Sequence, residues 1–304
     1  MIRVNHSVNA MNHQHRTLLI LGREVMGVFK LRIGFMIMIT ALVGMAVSTG
    51  APLGIVKVLV LGVSVLIASA SAGAFNQYYE YDSDHLMART RNRAFVTGAL
   101  SHTPAWLFLI AALLICSVAA AAWWLNPVSA AFVFLGAFFY AVVYTVWLKR
   151  RSWLNIVVGG MAGSFAVLAG AAAVDPALGP LPYLLAAVLF LWTPPHFWSL
   201  AIANKDEYQA AGVPMLPVVV GVPRAALAVL ASTLALALTA LLPVFFGAGA
   251  TYFVGALAGG SYFVYRAWQL ARAPSRKTAM GSFFASLVQL SLLLVAATLD
   301  SLLW

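Results

Sequence analysis

Charge is scarce in this chain: only 9% of its 304 residues are Asp, Glu, Lys or Arg, and just 8 are acidic. With 63% hydrophobic residues and a mean hydropathy of +0.94, it has too little polar surface to cover a soluble core and reads as an integral membrane protein. A single cysteine, Cys116, excludes an internal disulfide and, set inside an apolar run, reads as a small core residue. The first 16 residues, MIRVNHSVNAMNHQHR, have no apolar stretch of signal-peptide length, so no cleaved signal is expected. Also missing is the polar/apolar alternation that a membrane β-barrel requires. What remains is an all-α polytopic membrane protein.

Nine apolar runs are long enough to cross roughly 30 Å of hydrocarbon. They cover about 33–50, 55–75, 98–121, 128–147, 154–174, 180–202, 224–245, 250–268 and 279–299. The expected organisation is a polar cytoplasmic tail over 1–16, an amphipathic interfacial helix over 17–32, and a single nine-helix transmembrane domain over 33–304. With a cytoplasmic N-terminus, 17 of the 18 Lys and Arg residues fall on the inside, leaving Lys57 outside. The C-terminus is then outside. The net charge of +10 is explained by topology, and no nucleic-acid partner is implied. His6, His13 and His15 lie in the tail, where no partner fixes their geometry.

The few charges are concentrated in three islands. In NQYYEYDSDHLMART, residues 76–90, Asn76, Glu80 and Asp84 follow one another at i, i+4 and i+8 and share one helix face. Clustered carboxylates need a cation, and hard oxygen donors suit Mg²⁺, which binds substrate phosphates through one or two protein carboxylates. Asp82 lies on another face and joins such a site only if the helix end unwinds. Arg89 and Arg93, four apart, suit phosphate oxygens. An acidic-basic turn at a helix end explains the same pattern without a ligand.

The second island, within residues 190–221, contains WTPPHFW and then KDEY. Pro194 and Pro195 interrupt the hydrogen-bond ladder, and His196 beside them suits haem iron, a propionate, or acid-base work; an interfacial histidine between aromatic rings is the plain alternative. Lys205, nine residues on, faces the opposite side of an ideal helix. The third island, YTVWLKRRSWLN over 144–155, carries Lys149, Arg150 and Arg151, which first mark the inside face. His102 reads as a helix-entry residue.

These islands resemble those of the protoheme IX farnesyltransferase family in the UbiA-type intramembrane prenyltransferase superfamily, and the similarity covers roughly residues 20–300. The family pattern N-x-x-x-D-x-D-x-D-x-x-M-x-R-T-x-x-R-P is matched at Asn76, Asp82, Asp84, Met87, Arg89, Thr90 and Arg93. It departs at Glu80 and Ala94, which stand for Asp and Pro. The YTxWLKR, WTPPHFW and KDEYxxAGVPMLPV segments are also present; the family's Lys-Pro pair near the first span is Lys30-Leu31 here, and its paired prolines after the GGxxG region are Ala166-Val167.

The resemblance implies nine helices around a central cavity in the cell inner (cytoplasmic) membrane. It also implies an activity: transfer of a farnesyl group from farnesyl diphosphate to the 2-vinyl group of haem b, with addition of water. Asn76, Glu80, Asp84 and Asp82 are the implied Mg²⁺ ligands, and Asn76, Glu80, Asp84, Arg89 and Lys205 the catalytic set. His196, Arg93, Tyr144, Lys149 and Tyr208 are the implied binding residues, with Tyr78, Tyr79 and Tyr144 available to stabilise an allylic cation. Haem A synthase and oxidase assembly proteins are the implied partners beyond the bilayer. Two other functions fit the same islands: prenyl transfer to a quinone precursor, and haem binding by a nonenzymatic assembly factor. Polytopic transport fits less well, because no ionisable relay runs through both halves.

Overall fold

The computed structural model describes residues 21–303, all of whose regular elements are helical. The tail over 1–16 and the start of the expected interfacial helix lie outside those residues. Helix α1, Leu21–Val28, meets α2, Leu31–Ala46, at an angle of 47°. Lys30 forms the elbow between them, with left-handed backbone at φ 48° and ψ 42°. The helix expected over 17–32 therefore ends at Val28 in its described part, and residues 31 and 32 already belong to α2.

Helix α3, Ile55–Tyr79, is followed by two single turns, α4 (Tyr81–Asp84) and α5 (Ala94–Thr97). The next helix, α6, covers Ala105–Trp124. Residues 98–104, expected to open a span, are instead a loop ending at Pro104, and the Trp106 indole donates back to the Ser101 carbonyl at 3.1 Å. Helix α7, Pro127–Phe138, begins at an Asn126 cap whose side chain accepts from the Ser129 amide, and it runs on as a π-helix over Phe139–Leu148.

The second half comprises α8 (Asn155–Gly159), α9 (Met161–Val174), α10 (Pro180–Ala203), α11 (Lys205–Ala210) and α12 (Leu216–Val220). It ends with α13 (Val222–Thr239), α14 (Ala250–Arg272) and α15 (Arg276–Leu303). Helix α10 runs unbroken through Pro194 and Pro195, and the break falls at Asn204. Among the described residues, seven single helices and the bent α1–α2 pair are long and apolar enough to cross a membrane. This is the all-α, multi-pass architecture expected, with seven or eight spans established by length and apolarity.

Small residues let the backbones meet. A Cβ added at Gly170 of α9 would lie 1.8 Å from the Ala41 carbonyl oxygen of α2, and one at Gly44 of α2 would lie 2.2 Å from the Val167 carbonyl oxygen of α9. The two glycines thus seat α2 and α9 against each other reciprocally. That contact braces one wall of the interior in which the site forms.

Candidate active site

A cavity of about 290 Å³ opens between α2, α3, α7 with its π extension, α9 and α10. Its walls along α3 run from Val65 through Ala68 and Ala72 to Asn76 and Glu80, and along α9 from Ala169 through Ala166 to Ala162. One end is thus apolar and the other charged. Val65 and Asn76 are eleven residues apart, so the apolar part is about 16 Å deep at 1.5 Å per residue.

The charged rim is built on the stripe read from sequence. Asn76, Glu80 and Asp84 are all buried and all line the cavity, and the helical bond from the Asp84 amide to the Glu80 carbonyl, 2.9 Å, carries the stripe past the end of α3. Each meets a cation. The Lys30 ammonium donates to Asn76 Oδ1 at 2.7 Å and to the Tyr140 hydroxyl at 3.3 Å. Lys149 is paired with Glu80, and Arg93 with Asp84, while Arg93 also stands 3.7 Å from Glu80. The other end of Asn76 is fixed by donation from its Nδ2 to Thr145 Oγ1 at 3.1 Å.

Burial and pairing compete in this cluster. Burial alone would push the Glu80 carboxyl up, but the Lys149 ammonium in contact with it, helped by Arg93 and Lys30, holds it below the ordinary carboxylate value. For Asp84 burial outweighs the pull of Arg93, and its carboxyl is raised. Burial lowers the Lys149 ammonium in spite of Glu80. It likewise raises the Tyr208 phenol.

The structure brings most of the expected residues together. Arg89, Arg93, Tyr144, Lys149 and Tyr208 line the cavity with the stripe. Asp82 is exposed and does not line it, and no group of three His, Cys, Asp or Glu side chains suited to a metal occurs among the described residues. The oxygen donors that the stripe presents to the cavity are one amide and two carboxylates. Lys205 opens α11 beyond the end of α10, half-buried and off the cavity. Tyr78 and Tyr79 also lie off it, with Tyr79 47% exposed.

His196 points elsewhere. It is buried on the α15 side of α10, stacked between Trp192 (ring centroids 4.2 Å apart) and Phe283 (4.5 Å), and its Nδ1 meets Ser286 Oγ at 2.6 Å. Thr193, Phe197 and Leu200 are the α10 side chains that face the cavity. An imidazole with rings on both faces and a hydroxyl on one nitrogen ties α10 to α15, so contact with a ligand in the cavity requires that packing to open.

Two rim residues escape a sequence reading. Lys30 counts there as a topology marker and as the lysine of the family's Lys-Pro pair, and Tyr140 not at all; the spacing of Tyr140 and Tyr144, four apart, was the available signal, and their rings stack at 5.7 Å. The π-helix explains why Tyr140 and Lys149 share a face. Nine residues of α-helix turn through about 900° and end on the opposite side, whereas i→i+5 bonding gives about 4.4 residues per turn and nine residues nearly close two turns. The bond from the Lys149 amide to the Tyr144 carbonyl, 2.9 Å, is of that kind.

Residues 37–291 match the model of the UbiA prenyltransferase family. The chain is 53% identical over 276 residues to a "Protoheme IX farnesyltransferase 2" of Paramagnetospirillum magneticum, covering 91% of this chain and 96% of that protein. It is 39% identical to a "Protoheme IX farnesyltransferase" of Shewanella denitrificans, covering 93% and 94%. Among solved structures, a digeranylgeranylglyceryl phosphate synthase superposes with a TM-score of 0.78 at 16% identity over 93% of this chain and 99% of that one. A UbiA homolog from Archaeoglobus fulgidus bound to DMAPP and Mg²⁺ gives 0.71 at 15% identity, over 89% and 99%. At those identities the likeness is one of fold. The chain belongs to the UbiA prenyltransferase family and, within it, to the protoheme IX farnesyltransferases.

Proposed function

We propose that this protein transfers the farnesyl group of farnesyl diphosphate to the 2-vinyl group of haem b, with addition of water, giving haem O. The observation that carries the reading is the one-ended cavity, apolar for about 16 Å and closed at its rim by an amide, two carboxylates and several cations. A long isoprenoid with a diphosphate head has that same distribution of polarity. The choice of haem over another acceptor rests on the relatives of 39% and 53% identity, which are named for protoheme IX.

The rim fits Mg²⁺ by the chemistry of its donors. Asn76 Oδ1 and the carboxylates of Glu80 and Asp84 are hard oxygens on successive turns, each now met by a positive group where a divalent cation would also be stabilised. Those three residues would hold the ion, which when bound supplies Lewis-acid stabilisation of the leaving diphosphate. Arg89, Arg93 and Lys149 offset the charge that gathers on diphosphate as the allylic carbon–oxygen bond breaks and its electron pair leaves with oxygen. Tyr140 and Tyr144 present stacked ring faces at the junction of rim and apolar wall, where they stabilise the allylic cation and exclude water until the vinyl π electrons form the new carbon–carbon bond. Water then adds to the cation left on the porphyrin substituent and loses a proton. Tyr208 and Met215 bound the acceptor side, and Lys205, off the cavity, acts by attracting anionic substrates to the face.

The same reading has nine crossings, with α14 as the eighth, a cytoplasmic N-terminus, and a place in the cell inner membrane beside haem A synthase or oxidase assembly proteins that take the product. Residues 1–16 form a cytoplasmic tail, 17–32 lie at the interface, and 33–304 form one domain. Diphosphate release by the purified protein with farnesyl diphosphate tests the function. Release that requires haem b is the expected result; release that requires an aromatic quinone precursor, or none with either acceptor, overturns it.

A further inference from the structure

Three cations face the stripe, and two of them meet carboxylates. The third, Lys30, meets the neutral amide of Asn76 at 2.7 Å and has no carboxylate within ion-pair distance among the described residues. A half-buried ammonium on an amide oxygen is a charge with incomplete compensation. The chain is nonetheless built to put it there. Lys30 occupies the left-handed region at φ 48°, which residues with a Cβ seldom adopt, at the 47° elbow between α1 and α2. Its stem packs along Gly73 of α3, where an added Cβ would lie 3.4 Å from Lys30 Cβ and Cδ, in van der Waals contact. Lysine stems at a membrane surface usually carry the ammonium out to water, as exposed Arg32 does two residues on. Lys30 instead turns inward and lines the cavity.

Resting on the prenyl-diphosphate reading of this site, we propose that Lys30 is an exchangeable placeholder for the metal. Its ammonium, on Asn76 Oδ1, competes with a divalent cation for that amide oxygen and moves onto a diphosphate oxygen when the cation takes it. The flexible four-carbon stem and three donors of lysine permit the exchange, and the Tyr140 hydroxyl at 3.3 Å gives it a second acceptor beside the first. In the loaded site the ammonium adds a positive charge opposite the leaving group. A static brace between α2 and α3 would act otherwise, because its loss would loosen Asn76 and weaken metal and diphosphate binding together. A placeholder competes with the metal and assists the diphosphate, so its removal moves the two in opposite directions.

The test uses the full chain in detergent micelles with Mn²⁺ as a paramagnetic probe, comparing wild type with Lys30→Met, Lys30→Gly and Lys30→Arg. Glycine accepts the left-handed backbone without strain, so Lys30→Gly removes the ammonium with the elbow kept even where methionine folds poorly. Without diphosphate, both neutral variants should bind Mn²⁺ about tenfold more tightly than wild type, while farnesyl diphosphate binds about tenfold more weakly in the presence of Mn²⁺. Lys30→Arg should keep the diphosphate affinity within about threefold of wild type, because it keeps the charge. Mn²⁺ affinity unchanged or weakened in the folded neutral variants, or unchanged diphosphate affinity, overturns the placeholder. If wild type binds no farnesyl diphosphate with Mn²⁺, the underlying reading fails first, and the role of Lys30 with it.

Discussion

Asp84 and His196 show what a sequence makes legible about single residues. The i, i+4, i+8 stripe ending at Asp84 is readable because helical period is fixed by the covalent chain, and all three members reach the cavity. Arg93, nine residues past Asp84, is readable with the stripe, but the pairings of Lys30 and Lys149 are not, since these come from positions 46 and 69 residues away from the groups they meet. Asp84→Asn should lower haem-dependent diphosphate release about 100-fold with the protein still folded, because the variant keeps the shape and loses the charged ligand. Normal turnover with unchanged Mg²⁺ dependence would remove Asp84 from the site. His196 is the opposite case: a histidine beside two prolines in an apolar run signals a ligand, yet ring stacking and the Ser286 contact use its surfaces in packing. His196→Ala should therefore cost about 2–4 kcal/mol of stability through a cavity and the loss of one of the two hydrogen bonds of the Ser286 hydroxyl, with farnesyl diphosphate and haem affinities of the folded protein changed less than about threefold. A selective loss of haem affinity at unchanged stability would return His196 to the substrate.

Element boundaries carry the next level of information, and the break after α3 is the one the site depends on. Glu80 sits at that break, and His102 is stacked between the rings on either side of it, Tyr78 at 4.2 Å and Tyr81 at 4.4 Å, while its Nε2 lies 3.0 Å from the Tyr78 carbonyl. The imidazole thus joins the end of α3 to the turn that presents Asp84. Sequence showed His102 as a helix-entry residue because the partners that give it a role lie more than twenty positions back. His102→Ala should raise the KM for farnesyl diphosphate about three- to tenfold with kcat nearly kept, and His102→Phe should restore it, since the aromatic stack is the feature at stake. An unaltered KM would leave the sandwich as surface packing. The α2–α9 crossing answers to a separate constraint. Gly170→Ala places a methyl against the Ala41 carbonyl, at a cost of about 3 kcal/mol, whereas at Gly163 an added Cβ meets only Leu189 Cδ2 at 4.0 Å. Thermal unfolding of both variants in detergent should separate them; equal stability would mean that the two helices slide apart freely.

At the scale of the whole molecule, the all-α, multi-pass character follows from composition, because apolar runs of span length leave no other home for so little charge. The number of crossings is harder to read, and it turns on α14. Its 23 residues are about 35 Å of helix, enough for the hydrocarbon, but Arg266 and Arg272 in its last turns dilute its apolarity. Packing argues for a crossing. Helix α14 reaches α15 after only Ala273–Ser275, and a Cβ at Gly255 would lie 2.3 Å from Ala296 Cβ while one at Gly259 would lie 3.1 Å from Gln289 Cα, so the two helices stay in contact over much of their length. On the nine-crossing reading proposed above, α14 shares the depth of the 28-residue α15, and its arginines then fall on the same face as Arg276 and Lys277. Nine crossings put the two ends of the chain on opposite sides. With Cys116 first replaced by serine, the single substitutions Ala88→Cys and Leu302→Cys should be labelled by an impermeant thiol reagent from opposite compartments, position 88 from the cytoplasm. Labelling from one side would take α14 out of the bilayer. It would also leave α15 without the antiparallel neighbour that its buried Gln289 and Ala296 are packed against, which is why the opposite-side result is expected.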